Sequence, residues 1–283
     1  MRETRFDIIK KNLGYLSSVE RLLIKSILFF YKDLIISENE DRLLSVNDPV
    51  IYAFNHNNYW ETILVSFYLI FRRNGKKISF VIDWMYGQLP ILRWLFNKID
   101  PVYVYNKNAK IPSLNHIKKV SLEQKAYKEC LARLKQQQSI GIFPEGTRNK
   151  NPHFLKRGRK GVGAMVLASG AAVVPIGIRF PQRPNGGGLS PLRTMTLRIG
   201  TPLFFPTELA VARQISEDQT LSPQTKKRWA VLLAAHVTHH VMEALASLSG
   251  KLYPHPAPEA LPDELQHPKI LEALCPALKP ARY

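Results

Sequence analysis

Apolar side chains in the first forty residues recur at helical steps. Leu13, Leu16, Leu23, Ile27, Tyr31 and Leu34 follow one another at intervals of three, four or seven. Phe29 and Phe30 widen that face, so residues 1–45 read as an amphipathic helical segment that packs on a core or lies in a membrane interface. From Pro49 the pattern changes. Short β-rich runs at 50–54 (VIYAF), 78–82 (ISFVI), 102–105 (VYVY), 140–143 (IGIF), 172–178 (AVVPIGI) and 194–199 (TMTLRI) alternate with helical stretches at 61–71, 89–97, 122–137 and 158–168. This alternation predicts an α/β fold: a single domain over 46–250 with a largely parallel central sheet flanked by helices. The loop 181–191 (PQRPNGGGLSP) is a turn-rich excursion between two strands. Ser222 followed by Pro223 marks the start of a last helix, with Gly250 as its stop. Residues 251–283 hold 7 of the 20 prolines and read as an extended tail.

Composition narrows the class. At 283 residues and 45% hydrophobic, the chain can bury a sizeable core. Cys130 and Cys275 are its two cysteines and form no C-x-x-C pair, which speaks against a disulfide scaffold or structural zinc and fits a reducing compartment. The N-terminus lacks the pattern of a secretory signal. The longest apolar stretch, 22–36, is broken by Lys25, Lys32 and Asp33, which suits an interfacial helix better than a spanning one.

The formal net charge of +18 is unevenly placed. Residues 72–160 carry 20 basic and 5 acidic side chains, a net of +15, whereas residues 1–71 carry 8 and 9. A localised basic surface calls for a polyanionic partner: an anionic membrane, a phosphorylated substrate or nucleic acid. Nucleic acid is the weakest of these, because no recognition motif and no basic–aromatic interleaving on a sheet is present. Arg72, Arg73, Lys76 and Lys77, directly after an apolar helix, suit contact with lipid headgroups.

Two segments could carry chemistry. In VIYAFNHNNYWE a buried strand ends in Asn55-His56, and Glu61 opens the next helix. A turn at the carboxyl end of such a strand is where open α/β sheets place ligands. His56 there could serve as a general base, with Glu61 holding its tautomer and stabilising its charged form. In IGIFPEGTR a second buried strand runs into Glu145-Gly146-Thr147-Arg148. Gly146 permits close backbone approach, Thr147 offers a hydroxyl, and Arg148 offers a fork suited to phosphate. Lys156, Arg157, Arg159 and Lys160 follow just before a helix N-terminus, a general anion site. His236, His239 and His240 on the last helix lack a third metal ligand and read as structural, so no metal is expected.

Together, Asn55-His56 with Glu61 and the block Phe143-Pro144-Glu145-Gly146-Thr147-Arg148 resemble the glycerolipid acyltransferase superfamily, with its N-H-x-x-x-x-D and F-P-E-G-T-R-S motifs. Phe154-Leu155-Lys156-Arg157-Gly158 resembles the F-x-K-x-G link of that family, and Val174-Pro175-Ile176 its V-P-hydrophobic strand. Two positions depart from the pattern. Glu61 stands where the family has aspartate, one methylene further out. Lys107 occupies the region where an Asp-Arg pair normally helps bind the acceptor phosphate.

The resemblance implies direct acyl transfer from acyl-CoA or acyl-carrier protein, a co-substrate rather than a resident cofactor, to the hydroxyl of a lysophospholipid. The acceptor it favours is 1-acylglycerol-3-phosphate. His56 would be the general base oriented by Glu61. Glu145, Gly146, Thr147, Arg148, Lys107 and Lys156 would bind substrate. The expected setting is the cytoplasmic face of an anionic membrane. The alternatives are acylation of another lysolipid or lipid alcohol, and a non-catalytic membrane-surface protein on the same fold.

Overall fold

Residues 4–88, 90–104, 122–181 and 194–260 are described by a computed structural model of the chain. Its centre is β2 (Val50–Phe54), all five residues of which are buried. An uninterrupted apolar run of this kind is what a strand covered on both faces requires. Val50, Tyr52 and Phe54 face one core, and Ile51 and Ala53 face the other.

Around β2 lie β1 (Ile35–Glu38), β3 (Ile78–Asp83), β4 (Val102–Val104), β5 (Ser139–Ile142), β6 (Ala172–Arg179) and β7 (Met195–Ile199). They form one seven-stranded sheet in the order β1-β7-β6-β2-β5-β3-β4. Every pairing is parallel except β6 with β7. Pro175, which has no N–H to give, sits in β6 just before that antiparallel ladder begins at Ile176. The six strands expected from sequence are all present. The seventh, β1, falls inside the segment expected to be helical. Its four residues are only partly buried at the sheet edge, so they lack a strand's usual apolar signal.

The first core holds α1 (Arg5–Lys10), α2 (Ser18–Tyr31) and α3 (Tyr59–Arg72) against one sheet face. Ile24 and Leu28 of α2 and Leu13 before it are fully buried there. Phe96 of α4 (Pro90–Asn97) joins the same core. The second core holds α5 (Leu122–Lys135), α6 (Gly161–Ser169) and α8 (Pro223–Ser249), while α7 (Pro206–Glu217) packs with α8 through Val211, Ile215 and Leu233. Gly163 lets α6 approach α8 closely, because a Cβ there would collide with the backbone carbonyl of Ala234.

α8 begins and ends as its sequence predicts. Ser222 accepts from the Thr225 N–H, Pro223 is the first helical residue, and Gly250 terminates the helix in the left-handed region at φ 67°. This helix is long and apolar enough to cross a membrane. In the fold, however, its Val237, Val241, Met242 and Leu245 are fully buried, so it serves as a core helix.

The four cations at the end of α3 and just after it, Arg72, Arg73, Lys76 and Lys77, do not form the free basic turn expected. Arg72 pairs with Glu40, Arg73 and Lys76 with Asp48, and Lys77 with Glu20 at 2.8 Å. Arg73 is 4% exposed. These charges tie the end of α3 and the turn after it to the segment after β1, to the residues just before β2 and to α2, and part of the charge surplus is spent inside the fold.

Candidate functional site

β2 and β5 are parallel neighbours, so their carboxyl ends open side by side. The chain leaves β2 through Asn55, whose side chain is fully buried. Its Nδ2 donates to Ile178 O at 2.9 Å and its Oδ1 accepts from Ile178 N–H at 2.6 Å, which fixes the turn to β6. Asn58 caps α3 by accepting from the N–H groups of Trp60 and Glu61. The cap places Glu61 in the first helical turn, fully buried, with its carboxylate directed back at the preceding residues.

That carboxylate meets His56. Glu61 Oε2 lies 3.2 Å from His56 Nδ1 and accepts from the Asn57 N–H at 2.8 Å. An ionised carboxylate can only accept, so the ring proton belongs on Nδ1 and the Nε2 lone pair is left as the basic site. The ring also packs on Phe143, with centroids 4.2 Å apart and planes at 32°. Glutamate in place of aspartate therefore keeps the pairing.

The second segment turns sharply after β5, with the Gly146 N–H donating to Phe143 O at 2.9 Å. Gly146 has φ +64°, and a Cβ there would collide with the Arg159 side chain. The Arg159 N–H donates to Pro144 O at 2.8 Å, which secures that arginine against the turn. Thr147 and Arg148 are partly exposed beside it, and Lys156 Nζ donates to Arg148 O at 2.9 Å. Lys156, Arg157, Arg159 and Lys160 are all exposed around this turn. Lys107 lies outside the described residues.

Glu145 has a different place from its neighbours. It is 2% exposed, and both of its oxygens are occupied by protein donors. Oε1 accepts from the His56 N–H at 3.0 Å, and Oε2 accepts from Asn149 Nδ2 at 2.8 Å and the Lys156 N–H at 2.9 Å. The Asn149 N–H completes the joint by donating to His56 O at 2.7 Å. Glu145 thus locks the two segments together rather than facing a ligand. Glu145→Gln would turn an amide NH2 toward at least one of these N–H donors, at a cost of about 2–3 kcal/mol. The expected result is a thermal midpoint lowered by about 5 °C or more in a melting experiment.

Three residues absent from the sequence-based list contribute to the site: Asn57, Asn149 and Lys251. Lys251 follows Gly250, and its Nζ donates to Asn57 Oδ1 at 2.6 Å and to Asn151 O at 2.8 Å. The segment after α8 is laid along the loop behind the second motif. The Leu252 N–H donates to His153 O, the Leu155 N–H to Leu252 O, and the Gly158 N–H to Tyr253 Oη. Residues 251–255 of the predicted tail are therefore a strap on the site, and residues 261–283 lie outside the described residues. An asparagine next to FPEGTR was a readable signal for a turn. A single lysine 195 positions from His56 carried none.

On α8, His236 Nε2 is hydrogen-bonded to Glu259 O at 2.7 Å, and His239 and His240 both pair with Glu243. Among the described residues, no group of three or more His, Cys, Asp or Glu is placed to hold a metal ion. Cys130 is buried in the second core, where desolvation pushes its thiol up to about 12.

The chain is similar to known proteins to different extents. The chloroplastic 1-acyl-sn-glycerol-3-phosphate acyltransferase LPAT1 of Arabidopsis thaliana is 29% identical over 154 residues, covering 53% of this chain and 37% of that protein. The chain thus matches well under half the length of this relative. The solved structure of the 1-acyl-sn-glycerophosphate (LPA) acyltransferase PlsC from Thermotoga maritima superposes with a TM-score of 0.44 at 14% identity, covering 86% of this chain and 83% of that one. The family model for Acyltransferase matches residues 35–179, from the start of β1 to the end of β6, and so takes in both segments of the site. With half of its length matched and both motifs assembled at one end of the sheet, the chain belongs to the Acyltransferase family, within the glycerolipid acyltransferase superfamily.

Proposed function

We propose that this protein transfers an acyl group from a thioester, acyl-CoA or acyl-carrier protein, to the free hydroxyl of 1-acylglycerol-3-phosphate. The observation that carries this reading is His56, with Nδ1 held by Glu61 and Nε2 left basic beside a turn ringed by cations. His56 Nε2 takes the hydroxyl proton as the oxygen attacks the thioester carbonyl. Collapse of the tetrahedral intermediate breaks the C–S bond, and the imidazolium returns the proton to the departing thiolate. The thioester is already activated, so the reading requires no resident cofactor. Arg148, Arg159 and Lys156 are the groups suited to the acceptor phosphate, and Thr147 lies beside them.

The acceptor would be met at an anionic membrane on its cytoplasmic side. Val19, Leu22 and Phe30 form an exposed stripe along α2, opposite the buried Ile24 and Leu28, and Phe6 and Ile9 of α1 are exposed nearby. Lys10 lies 4.2 Å from the centre of the Phe6 ring, a cation beside an exposed aromatic residue of the kind that suits a headgroup boundary. A Phe6, Leu22 and Phe30 to Ser variant is expected to lose most of its sedimentation with anionic vesicles.

The deciding experiment offers purified protein one acyl-CoA and one acyl-carrier protein. The acceptors are lysophosphatidic acid, a second lysophospholipid and a phosphate-free monoacylglycerol. Thiol release should be faster with lysophosphatidic acid than with monoacylglycerol by about tenfold or more, since unpaired buried or oriented polar groups discriminate strongly. Equal use of the phosphate-free acceptor would overturn the phosphate-binding assignment in favour of a lipid-alcohol acceptor.

A further inference from the structure

The strap after α8 has the polarity of a segment that does not face water. Its residues alternate in exposure, as an extended chain with a side-chain period of two requires. Lys251, Tyr253 and His255 are partly buried on polar partners. Lys251 Nζ donates to Asn57 Oδ1 and Asn151 O, Tyr253 Oη accepts from the Gly158 N–H at 3.2 Å, and His255 Nε2 lies 3.1 Å from Leu155 O. Leu252 and Pro254, with Pro256 just beyond, are the exposed positions between them. Leu252 is 64% exposed, and a parallel bridge sets it beside Phe154, itself 41% exposed. Single exposed apolar residues are ordinary on a protein surface. An outer face of Leu, Phe and Pro over an inner face of Lys, Tyr and His is the reverse of what water selects.

The charges beside this face are of one sign. From Gly146 to Lys160 the chain carries six basic side chains and no acidic one. Lys150, Lys156, Arg157, Arg159 and Lys160 are all exposed. The cations at the end of α3 are taken up by Glu20, Glu40 and Asp48, whereas this loop brings no carboxylate of its own.

We propose that Phe154, Leu252, Pro254 and Pro256, with Lys150, Arg157 and Lys160, form a second membrane contact that sits in the headgroup layer of an anionic bilayer. It rests on the acyl-transfer reading above, whose lipid acceptor it brings to the site. The cations lie at the level of the lipid phosphates and the apolar side chains reach the acyl boundary, which is how an interfacial segment divides its residues. A second copy of this chain would set the same cations against each other. A lipid surface asks for charge of one sign and for apolar side chains that need no matching pocket, and this face offers both. The loop that carries it also carries Arg148, Lys156 and Arg159, so bilayer contact here sets headgroups against the groups suited to the acceptor phosphate. The stripe on α2 belongs to the first core and the strap follows α8 of the second, so the two contacts can be removed separately.

The test is binding to phosphatidylcholine vesicles with and without phosphatidylglycerol. The proteins are wild type, Phe154→Ser with Leu252→Ser, Lys150→Ala with Arg157→Ala and Lys160→Ala, and Leu252→Trp. The serine variant should bind phosphatidylglycerol vesicles about tenfold more weakly. The alanine variant should lose about a hundredfold, together with most of the preference for phosphatidylglycerol. Leu252→Trp should add a fluorescence component that brominated lipid tails quench. In turnover, the serine variant should keep the wild-type kcat and KM with lysophosphatidic acid dissolved as monomers, and show a raised KM when the acceptor is presented in vesicles. Unchanged vesicle binding by the serine variant, or Leu252→Trp emission untouched by brominated lipid, would overturn the proposal and confine the contact to α1 and α2. A serine variant defective only with an acyl-carrier protein donor would overturn it too, and mark a protein-docking face instead. Vesicle binding by a wild type without thioester turnover would sink the acyl-transfer reading and leave the membrane contact standing.

Discussion

His56→Ala is expected to yield a folded protein whose thiol release from acyl-CoA is lower by about a thousandfold. The imidazole is the group whose geometry suits proton transfer: Nδ1 is engaged by a carboxylate and the ring is packed on Phe143. Its loss removes the acceptor for the hydroxyl proton, so attack would have to proceed through an unassisted alcohol. The backbone of residue 56 keeps its own roles, since its N–H donates to Glu145 and its carbonyl accepts from Asn149. Those bonds survive the substitution, so far-UV circular dichroism and the melting temperature should change little. Wild-type turnover in a folded His56→Ala protein would refute the assigned base.

The second large effect belongs to Glu61→Gln. The amide preserves size and can still accept from the Asn57 N–H, but only by presenting its NH2 elsewhere. If the NH2 instead takes the place of Oε2, it donates to His56 Nδ1, the Asn57 N–H loses its acceptor, the ring proton moves to Nε2 and the basic lone pair is lost from the reacting side. If the amide oxygen faces the ring instead, the negative charge that would stabilise the imidazolium is gone. Either way kcat should fall by about a hundredfold or more, with KM for the acceptor nearly unchanged, because Glu61 is fully buried. Glu61→Asp keeps the charge and should recover most of that loss. A Glu61→Gln protein with wild-type kcat would show that the pair is a structural contact only.

Legibility in the sequence tracked how local each signal was. β2 was readable because VIYAF is a continuous apolar run closed by Asn55, and α8 because Ser222, Pro223 and Gly250 punctuate it. The pairing of His56 with Glu61 spans five residues and one helix cap, so chain order alone suggested it. α7 escaped notice because only Val211 and Ile215 of its twelve residues are buried, too few to impose a helical apolar pattern. β1 escaped because an edge strand needs little apolar character. The inward turn of Glu145 was invisible, since a carboxylate beside a glycine can serve a ligand or the fold equally well. The basic cluster after α3 misled for a related reason. Its partners Glu20, Glu40 and Asp48 are remote in sequence, and only tertiary structure brings acid to base.

The strap after α8 has a consequence for the order in which the chain is made. Residues 251–255 leave the ribosome after residue 57 and after the loop at 151–158, to both of which they reach back. The sheet and the His56–Glu61 pair can form while these residues are still being synthesised, but closing the longest loop of the site has to wait for them. A nascent chain would therefore carry the sheet before it carries a finished site, and the site would be complete only once the strap has docked.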